Sequence, residues 1–516
     1  MRIMMWLRAW RPEAILSLIL LFAVGLRLYN LGSESLWLDE GFSANMAQNP
    51  SLQAWRRDVH PPLYYALLAL WSSFFNTDYW LRLLSVIFGV ATIPVVYSLG
   101  RKMFGPKAAL WSAAALAVLS FHVRYSQEAR MYTLMALLFA CAFWGLVSAA
   151  RDNSPKYWLV YALSSALLAY CQGTGIIYVG VLAMLFPLCA RSIHKPADWL
   201  GWLVSNAVVG ILFLPWAGVF AQRASEVAKN FWVPIPSWSD PLHVLHDLTV
   251  ASIPSPSTIA GQHFGSAFSL VLPDWFWVLP IASIVVWTIL RSHSENQWAV
   301  RTLVAAYVLP ILLIFVLSLT IKPIFLPRVL LPTAIPLVLL IGAASALPEA
   351  LATWKKAVFL LGMFLLLAST FYHLRYVQKE QWRQVSEFLQ QHIAPGEVVL
   401  YNVFDVSGKY LINRYDAEGG LRPVGQIDIG TVASSCTQNS ITKCLEQAVA
   451  HYPAGTVSWV VSSHDQYMTG GMIISTWIKR GFSCETLDGF TGVRVARCTL
   501  VKIEEPMGKQ GVPTLK

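Results

Sequence analysis

The sequence predicts a polytopic α-helical membrane protein, with about 11 transmembrane helices followed by a soluble α/β domain. Three observations carry that reading. Apolar runs of spanning length recur through residues 1–375, the loops between them are basic on alternate turns, and the composition changes at about residue 376. Of 516 residues, 56% are hydrophobic and 13% charged, and the mean hydropathy is +0.52. A run of about 20 apolar residues crosses the ~30 Å hydrocarbon core as a helix, and lipid leaves no partner for unpaired backbone groups.

The first run follows a basic N-terminus. It resembles a signal peptide but has no small-residue cleavage site after it, so it reads as an uncleaved first span. The expected spans are 13–31, 80–100, 108–121, 131–150, 157–171, 175–191, 198–220, 269–290, 300–320, 327–347 and 356–374. With a cytoplasmic N-terminus, alternation places Arg101-Lys102 with Lys107, Arg151 with Lys156, Arg191 with Lys195, Arg291 with Arg301, and Lys355-Lys356 on the inner side. Each of these loops is basic, as orientation in the cytoplasmic membrane requires. That role accounts for the formal charge of +10, and no nucleic-acid partner is expected. The run 63–75 opens after Pro61-Pro62 and is too short to cross, so it reads as a juxtamembrane or re-entrant helix. Counting it as a span would invert every later loop.

The expected organisation is a membrane domain over 1–375, with outer loops at 32–79 and 221–268, and an extracytoplasmic domain over 376–516. In the tail, 381–393 has helical spacing, 398–401 and 459–462 read as strands, 471–479 as a helix and 493–501 as a final strand. Cys141, Cys171 and Cys189 fall in spans, whereas Cys436, Cys444, Cys484 and Cys498 all fall in the tail. An even set in an outward-facing domain suggests two disulfides. The local pairing, Cys436 with Cys444 and Cys484 with Cys498, is one of three connectivities.

Polar residues gather on the expected outer side. Loop one carries Leu36-Trp37-Leu38-Asp39-Glu40 and His60-Pro61-Pro62-Leu63-Tyr64-Tyr65. Arg82 opens the second span, the next outer turn runs from Arg124 through Glu128 and Arg130 to Tyr132, and Lys322 and Arg328 flank a later outer turn. Outer loops are normally poor in cations, and ionisable groups at a bilayer surface are costly enough to suggest function. Cations here could hold a lipid-borne phosphate, Arg with its forked donors above all. A carboxylate beside them could act as general base.

These motifs resemble the bacterial glycosyltransferase family 39 proteins. That family is related to the dolichyl-phosphate-mannose:protein mannosyltransferases and the lipid A aminoarabinose transferases, within the C-type (GT-C) membrane glycosyltransferases. The motifs concerned are Leu-Trp-Leu-Asp39-Glu40, His60-Pro-Pro-Leu-Tyr-Tyr and Tyr125-Ser-Gln-Glu-Ala-Arg130-Met-Tyr132. The match is strongest over 13–150 and continues through Leu326-Pro-Arg-Val-Leu-Leu-Pro332 and Trp382-Arg383. The resemblance implies an inverting glycosyltransferase taking sugar from a polyprenyl-phosphate donor. Asp39 matches the catalytic carboxylate, Glu40 its orienting neighbour, Arg82 an Arg important for activity, and Glu128 and Arg130 a loop over the donor. His60, Arg124, Tyr132, Lys322 and Arg328 complete the expected substrate-binding set, the last two on topology. The tail lacks the trefoil module of eukaryotic protein mannosyltransferases, so a protein acceptor is not implied.

Plainer roles stand beside these. Asp39 could cap a helix beginning near Ser43, Glu40 could pair with a nearby Arg, and Glu128 could pair with Arg124 or Arg130. Arg27 and Arg82 could be snorkelling anchors, and His60 could simply pack before the prolines. Asp240, His243, His246 and Asp247 invite a divalent metal without a third ligand at fixed spacing, so no cofactor is expected. The alternative function is a membrane transporter or lipid flippase, which would place charges at mid-bilayer in broken helices.

Overall fold

A computed structural model describes residues 11–152, 154–189, 196–229, 233–250, 274–292, 294–346, 353–376, 379–394, 397–402, 407–416, 426–428, 455, 457–463, 483–487 and 489–499. The chain divides into two compact units. One comprises 1–33, 46–253 and 265–377, and the other 34–45, 254–264 and 378–516.

The first unit is helical. Its elements begin with α1 (Pro12–Leu28), and α2 (Leu38–Gln48) enters it at residue 46. There follow α3 (Leu52–Arg57), α4 (Leu63–Ser72), α5 (Asp78–Phe104), α6 (Pro106–Ala117), α7 (Ser120–Ser126), α8 (Tyr132–Asp152), α9 (Pro155–Cys171) and α10 (Gly175–Cys189). Then come α11 (Pro196–Lys229), α12 (Asp240–Thr249), α13 (Asp274–Arg291), α14 (Gln297–Thr320), a 3₁₀ turn (Pro327–Thr333), α15 (Ala334–Ala344) and α16 (Thr353–Tyr376).

Each expected span overlaps one or two of these elements. Among the described residues, 6 helices are long and apolar enough to cross a membrane, or 7 if α6 and α7 form one span broken by a 59° bend. The other expected spans, on α1, α9, α10 and α13, fall on shorter helices. The run 63–75 becomes α4, which has 10 residues.

Local chemistry sets the helix ends. Thr77 Oγ1 accepts from Trp80 N at 3.2 Å and caps α5. Gly105 closes α5 at φ 89°, a conformation that favours glycine, and Pro106 then starts α6 where its missing N–H costs nothing. Three of the expected inner loops meet: Lys102 Nζ lies 2.5 Å from Asp152 Oδ2, and the Arg151 guanidinium stacks 4.0 Å over Trp298 at the start of α14.

The second unit holds α17 (Trp382–His392), β1 (Val398–Asn402), α18 (Ser407–Tyr415), β2 (Gln426–Asp428), β3 (Val457–Ser462), β4 (Ser483–Leu487) and β5 (Arg494–Thr499). The strands form one mixed sheet in the order β2-β1-β3-β5-β4, with β1 parallel to β2 and β3, and β5 antiparallel to β3 and β4. Cys484 and Cys498 face each other in the β4–β5 register and are joined by a disulfide. Cys436, Cys444 and the expected helix at 471–479 lie outside the described residues.

Candidate active site

In the membrane unit, the expected cations collect at the ends of α5, α7 and α8 opposite the basic loops. Arg82, in the first turns of α5, is 1% exposed, and its Nη1 donates to Leu31 O at 3.0 Å. Arg130, between α7 and α8, is 3% exposed. It reaches His60 Nε2 with Nη2 at 3.3 Å and covers the Tyr132 ring at 5.9 Å. Since a guanidinium can only donate, His60 Nε2 is the acceptor here and its ring proton sits on Nδ1. Arg124 Nε lies 3.5 Å from Glu128 Oε1 and covers Tyr125 at 5.6 Å. The charge of Arg328, within the 3₁₀ turn, acts on Arg124 and Tyr125. The chain thus brings His60, Arg124, Glu128, Arg130, Tyr132 and Arg328 into one neighbourhood. Lys322 is half-buried just beyond the end of α14.

Hydrogen bonds from α4 and α5 fix this turn. Ser85 Oγ donates to Arg130 O at 3.2 Å and pairs with Tyr64 OH at 3.1 Å, while Thr133 Oγ1 donates to Ser85 O at 3.1 Å. Nearby, Tyr65 OH donates to Asp58 Oδ2 at 2.6 Å. Guanidiniums tethered this way are held in place with little solvent around them, which is the chemistry an anion-binding surface requires.

The carboxylate pair belongs to the other unit. Helix α2 begins at Leu38, so Asp39 sits inside its first turn and is not the cap of a helix near Ser43. Asp39 is half-buried, and its carbonyl accepts from Ser43 Oγ at 3.1 Å. Glu40 is fully buried. Its Oε2 accepts from Trp37 N at 3.3 Å, and Lys379 Nζ stands 3.4 Å from both its oxygens. Lys379 is thus an ion-pair partner of Glu40.

Residues 59–217 match the family model described as dolichyl-phosphate-mannose-protein mannosyltransferase. This stretch contains His60, Arg82, Arg124, Glu128, Arg130 and Tyr132. No curated protein matches the chain. The backbone is similar to that of ArnT from Cupriavidus metallidurans, both in the apo state and bound to undecaprenyl phosphate. Each comparison gives a TM-score of 0.58 at 14% identity and covers 95% of this chain and 99% of that one. AglB, the archaeal oligosaccharyltransferase from Archaeoglobus fulgidus, in complex with an inhibitory peptide and a dolichol-phosphate, gives 0.55 at 13% identity, covering 98% of this chain and 76% of that one. The fold is shared with these proteins. At these identities the likeness is one of fold.

Within this fold, one sequence expectation changes. Arg27 does not snorkel. It is fully buried and donates to Ala117 O at 3.0 Å, Leu116 O at 3.3 Å, Ser126 Oγ at 3.2 Å and His122 Nδ1 at 3.0 Å. In α12, His243 Nδ1 bonds Ser239 O at 2.9 Å and His246 Nδ1 faces Asp247 Oδ1 at 3.4 Å, so both rings are engaged locally. Sequence reasoning missed Lys379, Glu380 and Tyr415 around the carboxylate segment. The only signal was the adjoining Trp382-Arg383, already among the motifs of the resemblance.

Proposed function

We propose that this protein is an inverting glycosyltransferase that moves a sugar from a polyprenyl-phosphate donor to an acceptor at the outer face of the cytoplasmic membrane. The observation that carries the reading is the family match over residues 59–217, which encloses the tethered cations Arg82, Arg124 and Arg130 together with Glu128. The fold similarity to ArnT bound to undecaprenyl phosphate and to AglB with a dolichol-phosphate supports the donor class.

In this reading 11 spans carry the tail outside, as the basic alternate loops require. Asp39 takes the proton from the acceptor hydroxyl or amine. The acceptor oxygen or nitrogen then bonds to the anomeric carbon from the face opposite the phosphate. The carbon–oxygen bond to phosphate breaks, and its electron pair leaves on the polyprenyl phosphate. Arg130, Arg124, Arg328, Arg82 and Lys322 stabilise the charge gathering there. His60 and Tyr132 position Arg130, while Glu128 anchors Arg124 and closes the loop over the donor. The phosphate ester supplies the driving force, so the step needs no nucleotide. Transport as the alternative draws no support from the family match or from the fold.

The test is sugar transfer by the purified full chain in nanodiscs, using a panel of labelled polyprenyl-phosphate sugars with envelope extract as acceptor. Wild type should label an acceptor, and Asp39→Asn should lose ~10²–10⁴-fold in rate. Transfer by Asp39→Asn at the wild-type rate would remove Asp39 from the chemistry. No transfer by folded wild type with any donor would remove the transferase reading.

A further inference from the structure

The first turn of α2 leaves backbone N–H groups that its own helix cannot satisfy. Trp37 is the N-cap, Leu38 opens the helix, and Glu40 is the third helical residue. Its carboxylate reaches back to Trp37 N as in one arm of a capping box. The neighbouring amides are satisfied from far along the chain. Leu38 N donates to Glu380 Oε2 at 3.0 Å, a partner 342 residues away, and Leu36 N donates to Tyr415 OH at 2.7 Å. Glu380 also accepts from Ser35 Oγ at its carbonyl at 2.5 Å, and Lys379 N donates to Glu34 Oε1 at 3.3 Å.

The clamp is itself anchored. Trp382 Nε1, in a fully buried side chain, donates to Glu380 Oε2 at 2.6 Å. Gln381 exchanges two hydrogen bonds with Thr491, at 3.0 and 2.9 Å, just ahead of β5. Gly492 lies so close that a Cβ there would come 2.7 Å from Glu380 Cγ. The carboxylate of Glu380 also sits at a helix N-terminus, where the dipole favours a negative charge.

We infer that Lys379 and Glu380 are positioning residues for the neighbouring Asp39: they cap the first turn of α2 and hold Glu40 as a buried structural carboxylate. The inference rests on Asp39 being the base of the proposed transferase. It divides the adjacent acids between two jobs. Glu40 serves the turn through Trp37 N and Lys379 Nζ, and Asp39, one residue earlier on the same turn, is the base of that reading.

Hydrogen exchange of the full chain in nanodiscs tests the clamp apart from the chemistry. Lys379→Met and Glu380→Ala should speed exchange across 36–40 by tenfold or more while β1, β3 and β5 stay as in wild type. Lys379→Arg should restore protection. With the polyprenyl-phosphate sugar that supports transfer, Lys379→Met should lower kcat with little change in donor KM, and Lys379→Arg should recover it. Unchanged exchange over 36–40 in both variants, or acceleration spread evenly through the sheet, would overturn the clamp. Asp39→Asn should keep wild-type exchange. If it also keeps full transfer, the choice of base fails while the exchange result still decides the clamp.

Discussion

Arg27 and Ala117 are joined inside the helix bundle by a guanidinium–carbonyl hydrogen bond of 3.0 Å. Ala117 is the last residue of α6, where the chain bends by 59° into α7. A broken helix leaves carbonyls without intrahelical donors, and in a bundle interior no water replaces them. Arg27 covers Ala117 O and adds a second donor to Leu116 O, which also accepts from Leu119 N at 3.4 Å, and its other hydrogen bonds hold Ala23 O, Ser126 and His122. It is therefore a splice for the break that delivers the Arg124–Arg130 turn.

Arg27→Met should destabilise the membrane unit by about 1–3 kcal/mol, because Ala117 O is left buried without the donor Arg27 supplies. Thermal unfolding in nanodiscs would show a clear drop, and Arg27→Lys should recover only part of it because one ammonium cannot span the same fork. Wild-type stability in Arg27→Met would show that the break carries no such debt.

Arg130 makes a different kind of prediction, because the proposed reaction places it on the donor phosphate. It is held by His60 Nε2 and the Tyr132 ring. Arg130→Lys keeps the charge and loses the planar fork, so kcat/KM for the donor should fall ~10²-fold or more, as when one preorganised donor is removed elsewhere. His60→Ala should give a smaller fall, since it loosens Arg130 without deleting it. Titration of the donor in the transfer assay separates the two, and equal activity in Arg130→Lys and wild type would remove the fork from the site.

How much of this was legible in sequence depends on the range of the interactions. The helices of the membrane unit follow from apolar runs, and strands β1, β3 and β5 follow from short β-branched stretches, because both signals are local. The cation neighbourhood was legible because charge on the expected outer side contradicts the orientation rule. The start of α2 was not. Taken alone, the segment placed a helix near Ser43, but Glu380 and Tyr415 cap it four to five residues earlier from hundreds of residues away. Arg27 misled for a related reason: its partners are carbonyls exposed by a helix break, which hydropathy does not reveal.

Gly41 follows the two carboxylates, and its lack of a side chain is used. A Cβ at this position would lie 2.7 Å from Leu411 Cγ and 2.8 Å from Cδ2, in α18. Gly41→Ala should overpack the contact and cost about 1–3 kcal/mol, with the first turn of α2 displaced and transfer reduced. Leu411→Ala in the same chain should return much of the loss, because the two changes share one space and cannot be additive. Additive losses in the double variant, read by thermal unfolding and transfer together, would mean that the close approach is not what constrains Gly41.

Glu397 links pH to the stability of the tail. Burial alone would raise its pKa, but Trp459 Nε1 at 2.7 Å, Ala394 N at 3.1 Å and Arg497 Nη2 at 3.1 Å all favour the carboxylate and hold it below its ordinary range. A depressed carboxylate contributes stability that is fully present above its unfolded pKa of about 4.3 and is lost as pH falls through the lower folded value. Glu397→Gln has no such proton to take up. Wild type should therefore exceed Glu397→Gln in tail stability at pH 6, and the gap should narrow steadily below pH ~4. The measurement is hydrogen-exchange protection of β3 and β5 at matched intrinsic exchange, compared between the two chains from pH 6 to 3. Trp459, on β3, and Arg497, on β5, are register partners, so both strands should respond together. A gap that stays constant with pH would mean that the carboxylate is held by shape alone and its charge adds nothing.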